Sequence, residues 1–141
     1  MKFYEFGETN ERTMLILNGF GSCWSRFMPV YHALATKYHV IADAYDGFDP
    51  ERPETAFKSH FYEAECAKSF VLERFDGKLD VLYACSYGNS IALEILNDPK
   101  IDVKHAIGDG MALPIFLEAS KGSLCENLSL PAQVVLPGLW W

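Results

Sequence analysis

The sequence is short of positive charge. Twelve Lys and Arg stand against nineteen Asp and Glu, for a formal net charge of -7 over 141 residues. The basic residues are scattered and form no stripe that could neutralise a phosphate backbone, which argues against nucleic acid as a partner. There are four cysteines, Cys23, Cys66, Cys85 and Cys125. None forms a Cys-x-x-Cys pair, and none lies at zinc-ligand spacing from a histidine. Neither a metal nor an organic cofactor is expected, and the thiols read as the reduced cysteines of a cytoplasmic protein. The N-terminal stretch MKFYEFGETNER lacks the apolar core of a signal peptide. No apolar run approaches the ~18 residues of a membrane span. The apolar tail SLPAQVVLPGLWW is broken by Pro131 and Pro137.

Apolar residues make up 50% of the chain and aromatic residues 14%. That is enough to build the core of one domain, and a disordered chain would carry fewer aromatic and branched residues. Apolar runs mark strands at KFYEF, TMLILN, YHVIADA, KLDVLYAC and VKHAIGDG. Between them lie helical patterns. In SRFMPVYHALATKY, residues Phe27, Val30, Tyr31, Leu34 and Tyr38 share a face at steps of three and four. A longer helix is predicted from about Glu54 to Phe75, with Phe61, Ala64, Ala67, Val71 and Phe75 inward and Gly77 just past its end. YGNSIALEILND is the third helix, closed by Pro99. Strands alternating with helices predict a mostly parallel sheet covered on both faces, an α/β fold. Ligands in such sheets sit at the carboxyl ends of the strands. The residues to inspect there are Asn18 to Ser22, Asp43 to Asp49, Ser86 to Gly88 and Asp109 to Met111.

Ser86 stands where a strand must turn sharply into a helix. A nucleophile on such a turn is held in a strained backbone conformation with its hydroxyl exposed above the sheet. The turn crowds neighbouring backbone, and small residues are needed two before and two after. Ala84 and Gly88 meet that need. The helix that follows points its positive end at the serine, which favours an oxyanion there.

The stretch Ala84-Cys85-Ser86-Tyr87-Gly88 resembles the nucleophile elbow of the α/β-hydrolase superfamily, normally Gly-x-Ser-x-Gly. Alanine replaces the first glycine, and Asn89 stands where many members have another glycine. Asn18-Gly19-Phe20-Gly21 resembles the His-Gly-x-x loop of the superfamily, with Asn18 in place of histidine. The resemblance implies that the backbone N–H groups of Phe20 and Tyr87 form an oxyanion hole, with Gly19, Ala84 and Gly88 in support. VIADAYDGFDP looks like the Asp-x-x-Gly-Phe loop after the next strand. The likeness runs from about Phe3 to Gly110. It implies a serine hydrolase of esterase, lipase or peptidase type, acting on a small-molecule ester or amide. Phe20, Trp24, Tyr45, Phe48 and Tyr87 suggest an apolar acyl group, with the alternative that they belong only to the core. Cys85 reads as a buried small side chain pointing away from Ser86.

A second reading competes for the glycine loop. Gly19-Phe20-Gly21-Ser22-Cys23-Trp24 begins like the dinucleotide fingerprint, with Asp43 ending the next strand, and would make the chain a nucleotide-binding module. Trp24 occupies the place of the third glycine, which must be small for helix and strand to pack closely.

The general base is missing from the expected order of Ser, acid, His. Only His105 follows Ser86, and it lies near the start of a strand. His32, His39 and His60 precede it, two in helices and one at the start of a strand. Asp109, ending the strand after the one that carries Ser86, is the candidate acid; the alternative is a loop carboxylate that caps MALPIFLEA. Without a base Ser86 is a weak nucleophile. The expectation is a single partial domain over residues 1–141, truncated after what would be the sixth strand of the family fold. Residues 111–141 are read as an atypical tail or the start of a cap region. As this chain, the enzyme is expected to be nearly inactive; a non-catalytic fragment or pseudoenzyme is the alternative. An open sheet edge beside VKHAIGD would invite self-association.

Overall fold

A computed structural model describes residues 1–110 and a two-residue strand at 134–135. The rest of the stretch read as a tail or cap, with Cys125, lies outside the described residues. The strands are β1 (Lys2–Phe6), β2 (Thr13–Leu17), β3 (His39–Ala44), β4 (Lys78–Cys85), β5 (Asp102–Asp109) and β6 (Val134–Val135). The helices are α1 (Met28–Leu34), α2 (His60–Phe75) and α3 (Gly88–Leu96), with a 3-10 turn over Trp24–Phe27 before α1. The sheet order is β1-β3-β2-β4-β5-β6. Only β1 runs antiparallel, against β3; the other neighbours pair in parallel.

The period-two alternation of the strands divides the core in two. Leu15, Leu17, Ile41 and Leu82 face α2 and α3, where they meet Ala64, Ala67, Val71, Ile91 and Ile95. Their neighbours Met14, Ile16, Val40, Ala42 and Val81 face the other way, onto Trp24 and Tyr31. Strands β2 and β3 are therefore buried on both faces, which is why they read as unbroken apolar runs.

Two helices differ from expectation. Residues 35–38 leave α1 because the Asn10 amide caps its end, donating to the Ala35 and Tyr38 carbonyls at 2.9 and 3.1 Å. Phe27 and Val30 of the expected inner stripe are 40% and 52% exposed, and Tyr31 carries the packing. α2 begins at His60 rather than near Glu54. Ser59 is its N-cap and accepts from the Tyr62 N–H at 3.2 Å. Thr55 is held back in a loop, its hydroxyl accepting from the Gly47 N–H at 3.0 Å and donating to the Arg52 carbonyl at 2.9 Å. Phe61 is exposed, and Glu63 takes its place inside with Ala64, Ala67 and Val71.

The edge expected to lie open at β5 is partly occupied. Val134 and Val135 pair with Ala106 and Ile107. The tail, read from sequence as unlike anything in the family plan, thus carries a strand. Deleting residues 131–141 removes β6 and leaves this stretch of β5 unpaired on that side. The expected outcome is stronger self-association by sedimentation velocity and greater fluorescence of a dye that binds apolar surface. A deleted form that stays monomeric with unchanged dye fluorescence rules out β6 as an edge cover.

Candidate active site

β4 runs into α3 with only Ser86 and Tyr87 between them. Ser86 has φ +50°, in the left-handed region that a serine seldom adopts. It is exposed above the sheet. The turn is fixed by hydrogen bonds that run sideways to β5. The Ser86 N–H donates to the Asp109 carbonyl at 2.8 Å, and the Asn89 N–H donates to the Ser86 carbonyl at 3.1 Å. Asn89 Nδ2 also donates to the Ser86 and Asp109 carbonyls, at 2.9 and 3.0 Å.

Small residues are required here for reasons that can be measured. A Cβ on Gly88 would collide with the carbonyl oxygen of Leu17 and would lie 2.9 Å from that of Asn18. The start of α3 is therefore pressed against the end of β2. A Cβ on Gly19 would lie 3.5 Å from the Ser86 Cβ, so the glycine loop runs directly beside the serine. Ala84 is fully buried between Leu17 of β2 and Gly108 of β5. Among the described residues, neither the Phe20 nor the Tyr87 backbone N–H makes a hydrogen bond.

The glycine loop is anchored by a buried polar cluster. The Asn18 N–H donates to both oxygens of Asp43, at 3.0 and 3.1 Å, and Asn18 Nδ2 donates to Asp43 Oδ1 at 2.5 Å. Asn18 Nδ2 lies 3.1 Å from the Tyr31 hydroxyl, and the Tyr45 hydroxyl donates to the Asn18 carbonyl at 2.8 Å. Both backbone groups of Asn18 are thus engaged. Burial lifts the Asp43 carboxyl to about 7, against the hydrogen bonds that favour its charged form. Counting back three from Gly47 reaches Ala44. The buried carboxylate is one residue earlier than the Asp-x-x-Gly-Phe reading implied.

Asp109 reaches the elbow through its backbone. Its side chain accepts from the Tyr83 hydroxyl at 3.1 Å. Parallel pairing sets Asp109 opposite Cys85, and its charge together with burial pushes the Cys85 thiol up. None of the four histidines makes a hydrogen bond to Ser86 or Asp109 among the described residues. His39 Nε2 lies 2.6 Å from Glu5 Oε2 at the opposite end of the sheet, and His32 packs its ring edge on Phe6. His105 is an exposed residue within β5, and His60 stacks on Phe61 at the start of α2.

The aromatic residues sort into two groups. Phe20, 55% exposed, meets Phe48, Phe57 and Tyr87 edge-on, at centroid distances of 4.7, 5.1 and 5.2 Å. Phe57 was not anticipated from sequence. Trp24 and Tyr45, expected beside the site, belong to the core; Trp24 stacks on Tyr4 at 3.7 Å. The glycine loop opens onto a 3-10 turn, and α1 starts only at Met28. The loop therefore does not run directly into an α-helix of its own, as the dinucleotide fingerprint requires. The dinucleotide reading therefore loses its physical basis.

No family model matches the sequence, and no curated protein matches it. Solved structures do. One is an α/β hydrolase family protein from Desulfitobacterium hafniense, 24% identical with a TM-score of 0.69, matched over 77% of this chain and 44% of that one. MenH from S. aureus is 20% identical with a TM-score of 0.58, over 76% and 40% of the two chains. A lipase in its open form is 20% identical with a TM-score of 0.60, over 75% and 37%. The described residues form the N-terminal part of an α/β-hydrolase fold. The chain spans less than half the length of the solved structures it matches. Among the described residues no helix is long and apolar enough to cross a membrane.

Two predictions follow from this geometry. Gly88→Ala forces its new methyl into backbone that cannot yield. It is expected to cost about 3 kcal/mol, the upper part of the overpacking range. Gly21→Ala meets open space and only the left-handed φ of +75° opposes it. The expected cost there is about 1 kcal/mol. Urea denaturation of both variants checks the order.

The second concerns pH. Asp43 titrates near its ordinary value when unfolded and near 7 when folded. Between these values the folded state holds a proton that the unfolded state has released. Its contribution is complete below about pH 4, falls by up to about 1.4 kcal/mol per pH unit as pH rises from there to about 7, and is gone above that. Buried Glu63, also raised by burial, adds a slope of the same sign. Asp46 and Asp49 act in the opposite sense and at lower pH. Burial opposes their charge, but Met1 and Arg52 around Asp46, and Arg52 beside Asp49, outweigh it and hold both low. Asp43→Asn is expected to flatten the fall in urea midpoint between about pH 4 and about pH 8. An unchanged slope would show that Asp43 does not titrate in this window.

Proposed function

We propose that this chain carries the nucleophile and oxyanion part of a serine hydrolase site. The observation that carries the reading is the exposed Ser86 at φ +50° on a strand-to-helix turn. In this reading Ser86 Oγ attacks the carbonyl carbon of an ester, thioester or amide. The carbonyl oxygen becomes an oxyanion held by the Phe20 and Tyr87 N–H groups. The alcohol, thiol or amine leaves with a proton, and water then releases the acid from the acyl-serine. Gly19, Ala84 and Gly88 let the three segments approach. Asp109 is the carboxylate at the elbow and the candidate acid. The Phe20, Phe48, Phe57 and Tyr87 rings supply an apolar wall, which favours a small apolar acyl group.

The chemistry needs a base, and none of the chain's four histidines makes a hydrogen bond to Ser86. A non-catalytic protein that keeps the pocket is therefore the second reading, favoured by that one observation. A single experiment separates the two. The chain is joined to the C-terminal part of the Desulfitobacterium hafniense protein and assayed on short acyl esters. The expected result is ester hydrolysis that Ser86→Ala lowers at least about 1000-fold in kcat. Equal rates for the two proteins refute the nucleophile role, and this chain alone is expected to stay near background.

A further inference from the structure

We propose that Asn89 is a positioning residue for Ser86, its side-chain amide fastening the elbow to the end of β5. The inference rests on the reading of Ser86 as nucleophile, and goes beyond it to the group that holds the serine in place.

The geometry is closed. The Ser86 carbonyl accepts from both the N–H and the Nδ2 of Asn89, at 3.1 and 2.9 Å. The Asp109 carbonyl accepts from the Ser86 N–H and from Asn89 Nδ2, at 2.8 and 3.0 Å. Two carbonyl oxygens flank the amide, so its NH2 must face them and its orientation is fixed by chemistry. The side chain is 3% exposed, and its Oδ1 is buried without a hydrogen-bond partner among the described residues. A buried oxygen left unpaired is a stability liability. What the residue contributes is therefore geometry. A serine at positive φ persists only where its surroundings over-determine it. Asn89 supplies two of the bonds that do so, and it ties the turn to the strand that carries Asp109.

Amide hydrogen exchange tests the clamp directly, with Leu82 in the middle of β4 as internal reference. In Asn89→Gly, protection of the Ser86 amide is expected to fall at least roughly tenfold more than that of Leu82. Equal falls, or no change at Ser86, overturn the proposal, because a merely stabilising side chain lowers both together. Asn89→Asp keeps the shape and adds a pH readout. Ionised, it aims a carboxylate at two carbonyl oxygens; protonated, it regains one donor. The Ser86-to-Leu82 protection ratio of this variant is expected to rise on acidification while that of the wild type stays flat. A ratio independent of pH overturns the proposal, and this series decides the matter if Asn89→Gly does not fold. Labelling by a fluorophosphonate, carried out on the chain joined to the C-terminal part of the Desulfitobacterium hafniense protein, separates the clamp from the nucleophile reading. Ser86→Ala keeps every bond of the clamp and should keep the exchange pattern while losing the label. A joined protein that stays unlabelled while its elbow shows the expected exchange pattern refutes the nucleophile and leaves the clamp standing.

Discussion

The contact between Gly88 and the end of β2 is the constraint on which the site depends. With no side chain at residue 88, α3 begins in contact with the Leu17 and Asn18 carbonyls. The chain leaving β2 at Asn18 must therefore pass beside the turn leaving β4 at Cys85, and Gly19 comes against Ser86 as a result. One steric allowance brings together the serine, the glycine loop and the N-terminus of the helix. Phe20, three residues past the end of β2, and Tyr87, two past the end of β4, have backbone N–H groups with no hydrogen-bond partner among the described residues.

Such packing holds only if each segment is fixed independently, and the two are fixed by different chemistry. The elbow is tied by hydrogen bonds to the main chain of β5. The glycine loop is tied through Asn18, whose N–H is held by Asp43 and whose carbonyl is held by the Tyr45 hydroxyl. Burying Asp43 is costly for a charged carboxyl, and its raised pKa records that cost. The outer loop is treated otherwise. Arg52 bridges Asp46 and Asp49 at 2.8 and 3.0 Å. There the charges are paired and held ionised. The inner cluster relies on hydrogen bonds around a carboxyl whose pKa burial raises.

How much of this was legible in the sequence follows from which interactions are local. β4 was read to the residue because KLDVLYAC is an apolar run ended by a turn, and the elbow's small residues lie two positions either side of Ser86. The start of α2 was misplaced because Glu54 to Lys58 carry no breaker of their own. What stops the helix is the Thr55 hydroxyl bonded to Gly47 across the loop, with Ser59 as the cap. The Asn10 cap on α1 spans 25 residues and leaves no periodic trace. Asn89 was noticed only as a departure from glycine. Its partner Asp109 is twenty residues away, and no local pattern reports that pairing.

The same distinction bears on the base that the proposed reading requires. Every group assembled around Ser86 comes from the ends of adjacent strands β2, β4 and β5, or from the residue after the turn. Parallel strands deliver such groups to one edge without further instruction. A histidine has to come from elsewhere, because a group in the middle of β5 or at the start of β3 is held away from that edge by the sheet itself. His105 pairs opposite Val81, four residues before Cys85, and His39 pairs opposite Thr13 at the start of β2. Substituting residues near the elbow cannot bring either one closer, since each strand's register is set by its pairing along its length. In the proposed reading a base for Ser86 would enter on a segment that crosses the carboxyl edge of the sheet, since none of the strands β1 to β5 brings a histidine there.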